Sequence, residues 1–342
     1  MTMGQHGVVA VIIPTHNRRA LVLQAARSVL AQTYPYLKCI IVDNGSQDGT
    51  AQALAGLEDP RLSVVLEGQL LGPAGARNRG LEEAGDADWV AFLDSDDLWA
   101  PTKLEAQLAG MGETSAQLSL TASLRVGPDL RPRSAGRYRY DLSPGSPVYV
   151  ITQRALLDQL AAEHFIPVLM STLLGARALL SEIGGFDAGL EQGEDWDLVL
   201  RLARLSDIAY IDLPLVAYRQ WPGQVTSDWK DSMRGNFAVR ARHLGSRGQL
   251  SVTQRKGWAV YVARNQVRDG NRLAACREFG KVAWLGRAPG QLAYALGALV
   301  APSLIEKRLQ RFDDLARTSS IPLGWAEREA LWLSTYQSDV SS

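Results

Sequence analysis

Short apolar runs alternate with helically spaced segments over the first hundred residues, and this alternation constrains the fold more than any other feature. The runs cover residues 8–14, 37–42, 62–66 and 89–93. The first is continuously apolar and largely β-branched, as expected of a strand buried on both faces of a parallel sheet. The segments between the runs, at 21–32, 50–57 and 75–84, have helical spacing. This order predicts an α/β fold with a mostly parallel sheet flanked by helices.

Polar residues stand where three of the predicted strands end. Thr15 follows Pro14 at the end of the first run, Asp43 follows the second, and Asp94 follows the fourth. In parallel sheets, ligands bind beyond the carboxyl ends of the strands. We therefore expect these side chains to converge on a binding site at one edge of the sheet.

An acidic turn, Asp94-Ser95-Asp96-Asp97, follows the fourth run directly. Carboxylates this close repel one another unless a cation or hydrogen-bond donors neutralise them. Hard divalent cations such as Mg²⁺ take one or two carboxylates together with substrate phosphates. The alternative is a plain turn in which Asp97 caps the next helix. The wholly apolar strand before the turn favours the metal site.

Three further motifs carry weaker signals, each with a structural alternative. Asp43 could accept a hydrogen bond from a base imide, or simply begin a strand-to-helix turn. The glycine-containing helix start before Arg77 could bind phosphates, or be a solvated helix end. Asp195, beside Glu194 before a helical run, could act as a general base toward an acceptor hydroxyl. Acidic residues at that position are also favoured by the helix dipole alone.

Charge and composition exclude several classes of protein. The 36 lysines and arginines balance the 36 aspartates and glutamates of the 342-residue chain, so we expect no nucleic-acid partner. Two distant cysteines, Cys39 and Cys276, predict neither a disulfide framework nor a zinc site. No signal-peptide pattern follows Met1, and no run reaches the roughly 18–20 apolar residues of a membrane span. A cytoplasmic location is expected.

The motifs occur together in one fixed order. They are the segments 9–15, 28–35, 42–46, 76–80, 92–97, 184–187 and 194–198. Over residues 8–226 this ordered set resembles the family 2 glycosyltransferases of the GT-A fold. Each segment is modest by itself, but the ordered set is specific. The resemblance implies a GT-A domain that binds a nucleotide-sugar.

The resemblance also implies a role for each matching position. The implied nucleotide-sugar-binding residues are Pro14, Thr15, Asn17, Asp43, Asn44, Arg77, Asp94 and Ser95. Asp96 would contact Mn²⁺ or Mg²⁺ directly, and Asp94 would bind the metal or the ribose. Asp195 would be the catalytic base, with Glu194 and Trp196 on the acceptor side.

The reaction implied by the resemblance is a metal-dependent, inverting sugar transfer. The donor would be a nucleoside-diphosphate sugar, with UDP-sugars expected. The acceptor would be a carbohydrate, a lipid-linked molecule or a small molecule, in polysaccharide, glycolipid or glycoconjugate biosynthesis. The metal and Arg77 would stabilise the leaving diphosphate, while Asp195 takes the proton of the attacking hydroxyl.

Two departures from the family pattern leave alternatives open. Asn44 stands where a second acid is common, and Trp221 stands where relatives often have a histidine near the metal. A non-catalytic protein that only binds nucleotide-sugars therefore stays an alternative. A nucleotidyltransferase is disfavoured, because Pro14-Thr15-His16-Asn17 replaces the glycine-rich, lysine-bearing opening of that class.

The chain is predicted to have two regions: a catalytic domain over residues 1–228 and a helical C-terminal region over 229–342. Residues 292–304 are mostly apolar, and basic residues follow at 307–311. Such a segment packs on a core, joins copies in a homo-oligomer, or rests on a membrane surface. A homo-oligomer and a peripheral contact with the inner face of the membrane both stay open. The arginine- and tyrosine-rich stretch 131–149 is predicted to be a loop over the site.

Overall fold

The chain divides into two compact units. The computed structural model describes residues 7–136, 148–152, 169–190, 192–220, 252–286, 290–301, 303–305 and 331–337, together with 235, 238, 239, 242 and 243. The sheet unit comprises Met1–Gln153, Val168–Ser227 and Pro322–Ser342. The helical unit comprises Arg154–Pro167 and Asp228–Ile321.

One sheet lies at the centre of the sheet unit. Its strands are β1 (Val9–Thr15), β2 (Leu37–Asp43), β3 (Leu62–Leu66), β4 (Trp89–Phe92), β5 (Leu98–Trp99), β6 (Leu118–Val126), β7 (Pro132–Gly136), β8 (Val148–Ile151), β9 (Leu174–Ala176) and β10 (Ile208–Arg219). Their order is β3-β2-β1-β4-β9-β6-β10-β5, with β7 beside β6 and β8 beside β10. The β3-β2-β1-β4 part is parallel throughout. Antiparallel β9 joins it to the parallel pair of β6 and β10.

Helices flank this sheet. They are α1 (Arg19–Leu30), α2 (Thr50–Ala55), α3 (Gly72–Glu83), α4 (Lys103–Thr114), α5 (Arg177–Glu182) and α6 (Glu194–Leu202). Helix α1 buries Val22, Ala25 and Val29 on one side, the spacing expected of a helix that covers a sheet. Helix α3 approaches β1 so closely that a β-carbon at Gly80 would overlap the Ile12 side chain. The predicted α/β class, with helices flanking the sheet, is confirmed.

Two expectations for the middle of the chain are corrected. The short strands expected at 208–211 and 215–218 form the single strand β10, whose register against β6 shifts on both sides of Pro214. An extra residue in one strand bends it without ending it. The stretch expected to be a loop includes β7 and the start of β8, which pair with β6 and β10. Residues 137–147 lie outside the described part of the chain.

Three helices contain most of the described residues of the helical unit: α7 (Val252–Arg268), α8 (Arg272–Gly286) and α9 (Gly290–Val300). Small and aromatic side chains form their common core, among them Ala263, Phe279 and Ala298. The helical character expected of this region is confirmed. Among the described residues, no helix has both the length and the hydropathy that crossing a bilayer requires.

The C-terminal residues return to the sheet unit. A 3₁₀ turn (Leu331–Leu333) and the short helix α10 (Ser334–Gln337) follow in sequence after the helical unit. Trp332 packs against the core beneath the sheet. No sequence pattern predicted this return, and the domain boundary near residue 228 stays a prediction.

Candidate active site

The carboxyl ends of β1, β2 and β4 bring the predicted polar residues to one edge of the sheet. Thr15, the last residue of β1, pairs in register with Asp43, the last residue of β2. The acidic turn begins two residues after Phe92, where β4 ends. The edge predicted from the sequence is therefore formed.

Hydrogen bonds tie the loop after β1 to the loop after β2. Asn17 donates its backbone N–H to the Ser46 hydroxyl at 2.8 Å, and its side-chain oxygen accepts the Gln47 N–H at 2.8 Å. His16 Nδ1 lies 2.8 Å from the Asn44 carbonyl oxygen. Asn17 has a positive φ of 50°, which few non-glycine residues adopt and asparagine tolerates best. These contacts fix the direction in which the chain enters α1.

Three buried side chains lie at the ends of β1 and β2. Asp43 accepts the Ser46 N–H at 3.0 Å. The Asn44 side-chain oxygen accepts the N–H of Leu71 at 2.7 Å, just before α3. The Thr15 hydroxyl is buried and has no hydrogen-bond partner among the residues that the structure describes. Because a buried hydroxyl normally finds a partner, Thr15 is suited to meeting a ligand.

The acidic turn directs its carboxylates to different partners. Asp94 accepts a hydrogen bond from Arg77 at 2.8 Å, and Asp96 forms an ion pair with Arg18 at 3.1 Å. Asp97 is buried on the inner side, where it accepts the backbone N–H of Arg219 at 3.1 Å. Burial raises the pKa of Asp97 well above its ordinary value, and the charges of Asp96 and Asp94 add to the rise. Asp94 and Asp96 are thus the acids of this turn that face the site, while Asp97 supports it from within.

A buried polar network holds the turn from below. The Ser171 hydroxyl donates to Asp97 at 2.6 Å and accepts the Asp94 N–H at 3.1 Å. Trp99 donates its indole N–H to the Ser171 carbonyl at 2.8 Å. The Lys103 ammonium lies 3.8 Å from the centre of the Trp99 ring. Such satisfied networks rigidify the groups they hold, so the turn is fixed before any ligand arrives.

Arg77 joins the acidic turn to the start of α6. Its guanidinium pairs with Asp94 and with Glu194, each at 2.8 Å. The same group lies 5.4 Å from the centre of the Phe186 ring, within the range of a cation–π contact. The side chain is almost fully buried. One residue of α3 therefore connects two segments for which the family resemblance implies donor and acceptor binding.

Asp195 has the electrostatic properties of a general base. Burial raises the pKa of its carboxyl to about 7, and the negative charge of Glu194 adds to the rise. The Trp196 N–H, which donates to Asp195 at 2.7 Å, and the Arg77 charge oppose it. A base with a pKa near the working pH combines availability with driving force for proton transfer.

The structure adds two residues to the site that the sequence did not single out, and it buries one that was expected to meet the acceptor. Arg18 and Ser171 were missed, because their roles arise from contacts with the distant acidic turn. Only the position of Arg18, three residues beyond the end of β1, could have indicated that it belongs to the site. Trp196 is only 8% exposed, so it offers little surface to an acceptor. Trp221 lies outside the described residues.

The acidic turn has the donor atoms that a divalent cation needs. Mg²⁺ and similar hard cations bind through one or two carboxylates, with waters and phosphate oxygens completing the shell. Asp96 and Asp94 supply carboxylates of that kind at a ligand-binding edge. Within the described ranges, no three His, Cys, Asp or Glu side chains are grouped to hold a metal by themselves. The residues present fit a cation that is shared with a phosphate ligand.

Comparison with known proteins finds a family model that matches part of the chain. Residues 10–159 match the family described as Glycosyl transferase family 2. Over 127 residues the chain is 42% identical to TuaG of Bacillus subtilis (strain 168), a glycosyltransferase assigned to teichuronic acid biosynthesis, covering 36% of this chain and 50% of TuaG. Over 104 residues it is 36% identical to the Escherichia coli UDP-Glc:alpha-D-GlcNAc-diphosphoundecaprenol beta-1,3-glucosyltransferase WfgD, covering 30% of this chain and 41% of WfgD. The matched regions span half or less of these two relatives.

The fold is also similar to a solved structure. S. aureus TarS in complex with UDP-GlcNAc aligns with a TM-score of 0.57 and 17% identity, over 89% of this chain and 92% of that chain. At this identity the likeness concerns the fold alone. It confirms the expected GT-A fold.

Proposed function

Residues 10–159 belong to glycosyl transferase family 2, and from this premise we propose that the protein transfers a sugar from a nucleoside-diphosphate sugar to an acceptor hydroxyl with inversion of the anomeric carbon. The observation that carries the proposal is the double ion pair of Arg77 with Asp94 and Glu194. It joins a site suited to a diphosphate to a helix start that bears a carboxyl with a pKa of about 7.

The donor pocket is assigned to the edge formed by β1 and β2. Pro14, Thr15 and Asn17 line one wall, and Asp43 and Asn44 the other. A carboxylate at Asp43 can accept the imide N–H of uracil in addition to the Ser46 N–H, because a carboxylate has about four lone-pair positions. WfgD, whose name gives UDP-Glc as its donor, is 36% identical over the matched region, and this supports a UDP-sugar.

The diphosphate is assigned to the acidic turn, with Mn²⁺ or Mg²⁺ as cofactor. Asp96 would hold the cation directly and Asp94 would assist, with Ser95 beside the donor. When bound, the cation would neutralise charge on the leaving diphosphate. Arg18, which precedes α1 and pairs with Asp96, is a cationic side chain that can shift to a phosphate oxygen.

The chemical step needs one base and no enzyme nucleophile. Asp195 accepts the proton of the acceptor hydroxyl while the oxygen attacks the anomeric carbon. The bond from that carbon to the diphosphate oxygen breaks, and the electron pair leaves with the nucleoside diphosphate. Attack opposite the leaving group inverts the carbon. Glu194 keeps its position on the acceptor side through Arg77.

The acceptor and pathway are proposed more broadly. The names of TuaG and WfgD refer to teichuronic acid biosynthesis and to an undecaprenol-linked acceptor. We assign the protein to polysaccharide or glycoconjugate biosynthesis, with a carbohydrate or lipid-linked hydroxyl as acceptor. The alternative is a protein that binds nucleotide-sugars without turnover, which Asn44 and Trp221 leave open.

Ligand-dependent thermal stability tests the donor site. UDP, GDP, CDP and dTDP are each compared with Mn²⁺ and with EDTA. A ligand present at a hundredfold excess over its Kd stabilises the fold by about 2.7 kcal/mol, so a metal-dependent shift with UDP is expected. Equal shifts with and without chelator would contradict the metal assignment.

Asp195→Asn tests the catalytic role. Loss of a general base lowers the rate by about 10²–10⁴-fold, so transfer should fall by that factor, while UDP still raises the melting temperature. The matched control is Glu182→Gln, an exposed carboxyl on α5, which should leave transfer unchanged. If the wild type binds nucleotide but transfers no sugar to any acceptor tested, the non-catalytic alternative is preferred.

A further inference from the structure

A stripe of exposed apolar side chains runs along α9. Leu292, Leu296 and Val300 stand at every fourth position and are 51%, 63% and 83% exposed, and Leu304 just beyond the helix is also exposed. The opposite side of α9 is buried, with Ala295 and Ala298 in the core of the helical unit. The helix is thus apolar on its inner and outer sides. We call these four exposed residues the apolar stripe.

The outer side of α9 differs from that of an ordinary surface helix. Such a helix carries charged or polar residues on the side that meets water. No charged residue occurs between Arg287 and Glu306. The helix has 11 residues, which makes it about 16 Å long, far short of the roughly 30 Å of a bilayer interior. Its dimensions suit a helix that lies along a membrane surface.

Helix α8 supports the same interpretation. Leu273 and Trp284 are both more than three-quarters exposed, and Arg277 and Lys281 stand between them at helical spacing on the same side. Exposed tryptophan and basic residues are the side chains that gather at the headgroup level of a bilayer.

The charge of the helical unit indicates which kind of membrane surface it would bind. Its sequence ranges hold 18 lysines and arginines against 9 aspartates and glutamates, a formal charge of +9. The chain as a whole is neutral, so the sheet unit carries the balancing negative charge. A surface with this positive charge repels another copy of itself and attracts anionic lipid headgroups.

We propose that the helical unit docks on an anionic lipid bilayer, with the apolar stripe of α9 inserted to the level of the headgroup–acyl boundary. Apolar area and basic charge both contribute to such binding. The inference goes beyond the sugar transfer proposed above and does not rest on it.

Vesicle sedimentation with the full chain tests the proposal. One set of vesicles contains phosphatidylcholine alone, and a second contains phosphatidylcholine and phosphatidylglycerol in equal amounts. We expect at least about tenfold stronger binding to the anionic vesicles, weakening as added salt screens the charges. Wild-type protein that stays in the supernatant with both kinds of vesicle would overturn the proposal.

A double variant tests the stripe itself. Leu292→Gln with Leu296→Gln removes apolar contact while keeping good helix formers, and should lower binding at least about tenfold. The control is Leu205→Gln, an exposed leucine of the sheet unit, which should bind like wild type. Equal binding by the double variant would assign the attraction to charge alone and overturn the role of the stripe.

Two further measurements distinguish loss of membrane binding from misfolding and from dimer formation. Circular dichroism checks that the double variant folds, and Trp284→Gln provides a second variant with the same expected loss if it does not. Light scattering of the wild type gives its oligomeric state. A dimer that the double variant dissociates, without vesicle binding, would assign the stripe to a second copy and overturn the membrane proposal.

Discussion

At the scale of single residues, Arg77 does what no other basic side chain could do in its place. A guanidinium presents five N–H donors in a planar fork, so it can hold Asp94 and Glu194 at the same time. A lysine ammonium would hold them less rigidly, as a point charge on a flexible stem. Arg77 therefore holds the acidic turn next to the start of α6, where Asp195 lies.

The raised pKa of Asp195 predicts how transfer depends on pH. Below its pKa of about 7 the carboxyl is protonated and cannot accept the hydroxyl proton. The rate should therefore rise as pH passes through about 7 and then level off. Initial rates at saturating donor and acceptor across this range provide the measurement.

Glu194→Gln gives that prediction an internal check. Removing the negative charge of Glu194 removes a cause of the raised pKa, so the midpoint of the pH profile should move to lower pH. A midpoint that stays in place, or a wild-type rate that does not vary with pH, would remove Asp195 from the role of base.

The ion pair between Arg18 and Asp96 predicts a competition with the cation. Arg18→Gln removes the positive charge that faces Asp96. A pair of this partly exposed kind is worth up to about 1 kcal/mol, so Mn²⁺ should bind the nucleotide-free variant up to about fivefold more tightly. Isothermal calorimetry measures this without any turnover.

Arg19→Gln is the matched control for the Arg18 variant. It removes the same charge from the next residue, whose side chain is exposed, and should leave Mn²⁺ binding unchanged. Weaker cation binding by Arg18→Gln would mean that Arg18 helps to hold the site and does not compete for it.

Single residues were predictable where they follow a strand end. Asp43 and Asp94 could be named because the carboxyl ends of parallel strands meet at one edge, whereas Asp195 was named through the family resemblance. Arg18 and Ser171 could not, because their partners lie far away in the sequence and only the folded sheet brings them together.

At the scale of secondary-structure elements, the close contact of α3 with β1 sets the position of Arg77. Gly80 lies one turn after Arg77 and leaves no room for a β-carbon beside Ile12. Gly80→Ala should therefore destabilise the fold by about 1–3 kcal/mol, although alanine is intrinsically the better helix former. Urea unfolding of the full chain measures the change.

Gly112→Ala is the control for the Gly80 variant. Gly112 lies in α4, where a β-carbon would meet nothing within 4 Å. That change should be neutral or stabilising by up to about 1 kcal/mol. If both variants shift stability in the same direction, the close approach of α3 to β1 does not exclude a β-carbon at Gly80.

Elements differed in how far the sequence revealed them. The strands β1, β2 and β4 were predictable because strands buried on both faces are largely apolar runs. Strands β5 and β8 were not, since their partner β10 is distant in sequence. Strand β7 pairs with the adjacent β6, but its residues form no apolar run. β10 was expected as two pieces because a proline inside a strand usually marks its end, whereas here a bulge absorbs Pro214.

At the scale of the whole molecule, the C-terminal return of the chain makes the sheet unit depend on its last residues. Trp332 packs against the core that includes the first strands. Trp332→Ala should lower the free energy of unfolding of the sheet unit by about 2 kcal/mol, below the value for a fully buried tryptophan. Leu331→Ala, at an exposed neighbour, should change it by less than about 0.5 kcal/mol. Equal effects of the two changes in urea unfolding would show that the return adds no stability.

The opposite charges of the two units change the meaning of the isoelectric point. A value near 6.9 describes a sum, and here the sum hides two large terms of opposite sign. Near neutral pH the sheet unit behaves as an acidic body and the helical unit as a basic one. Such a chain can adhere to anion-exchange and cation-exchange resins alike, and titrating it to its isoelectric point leaves both attractions in place.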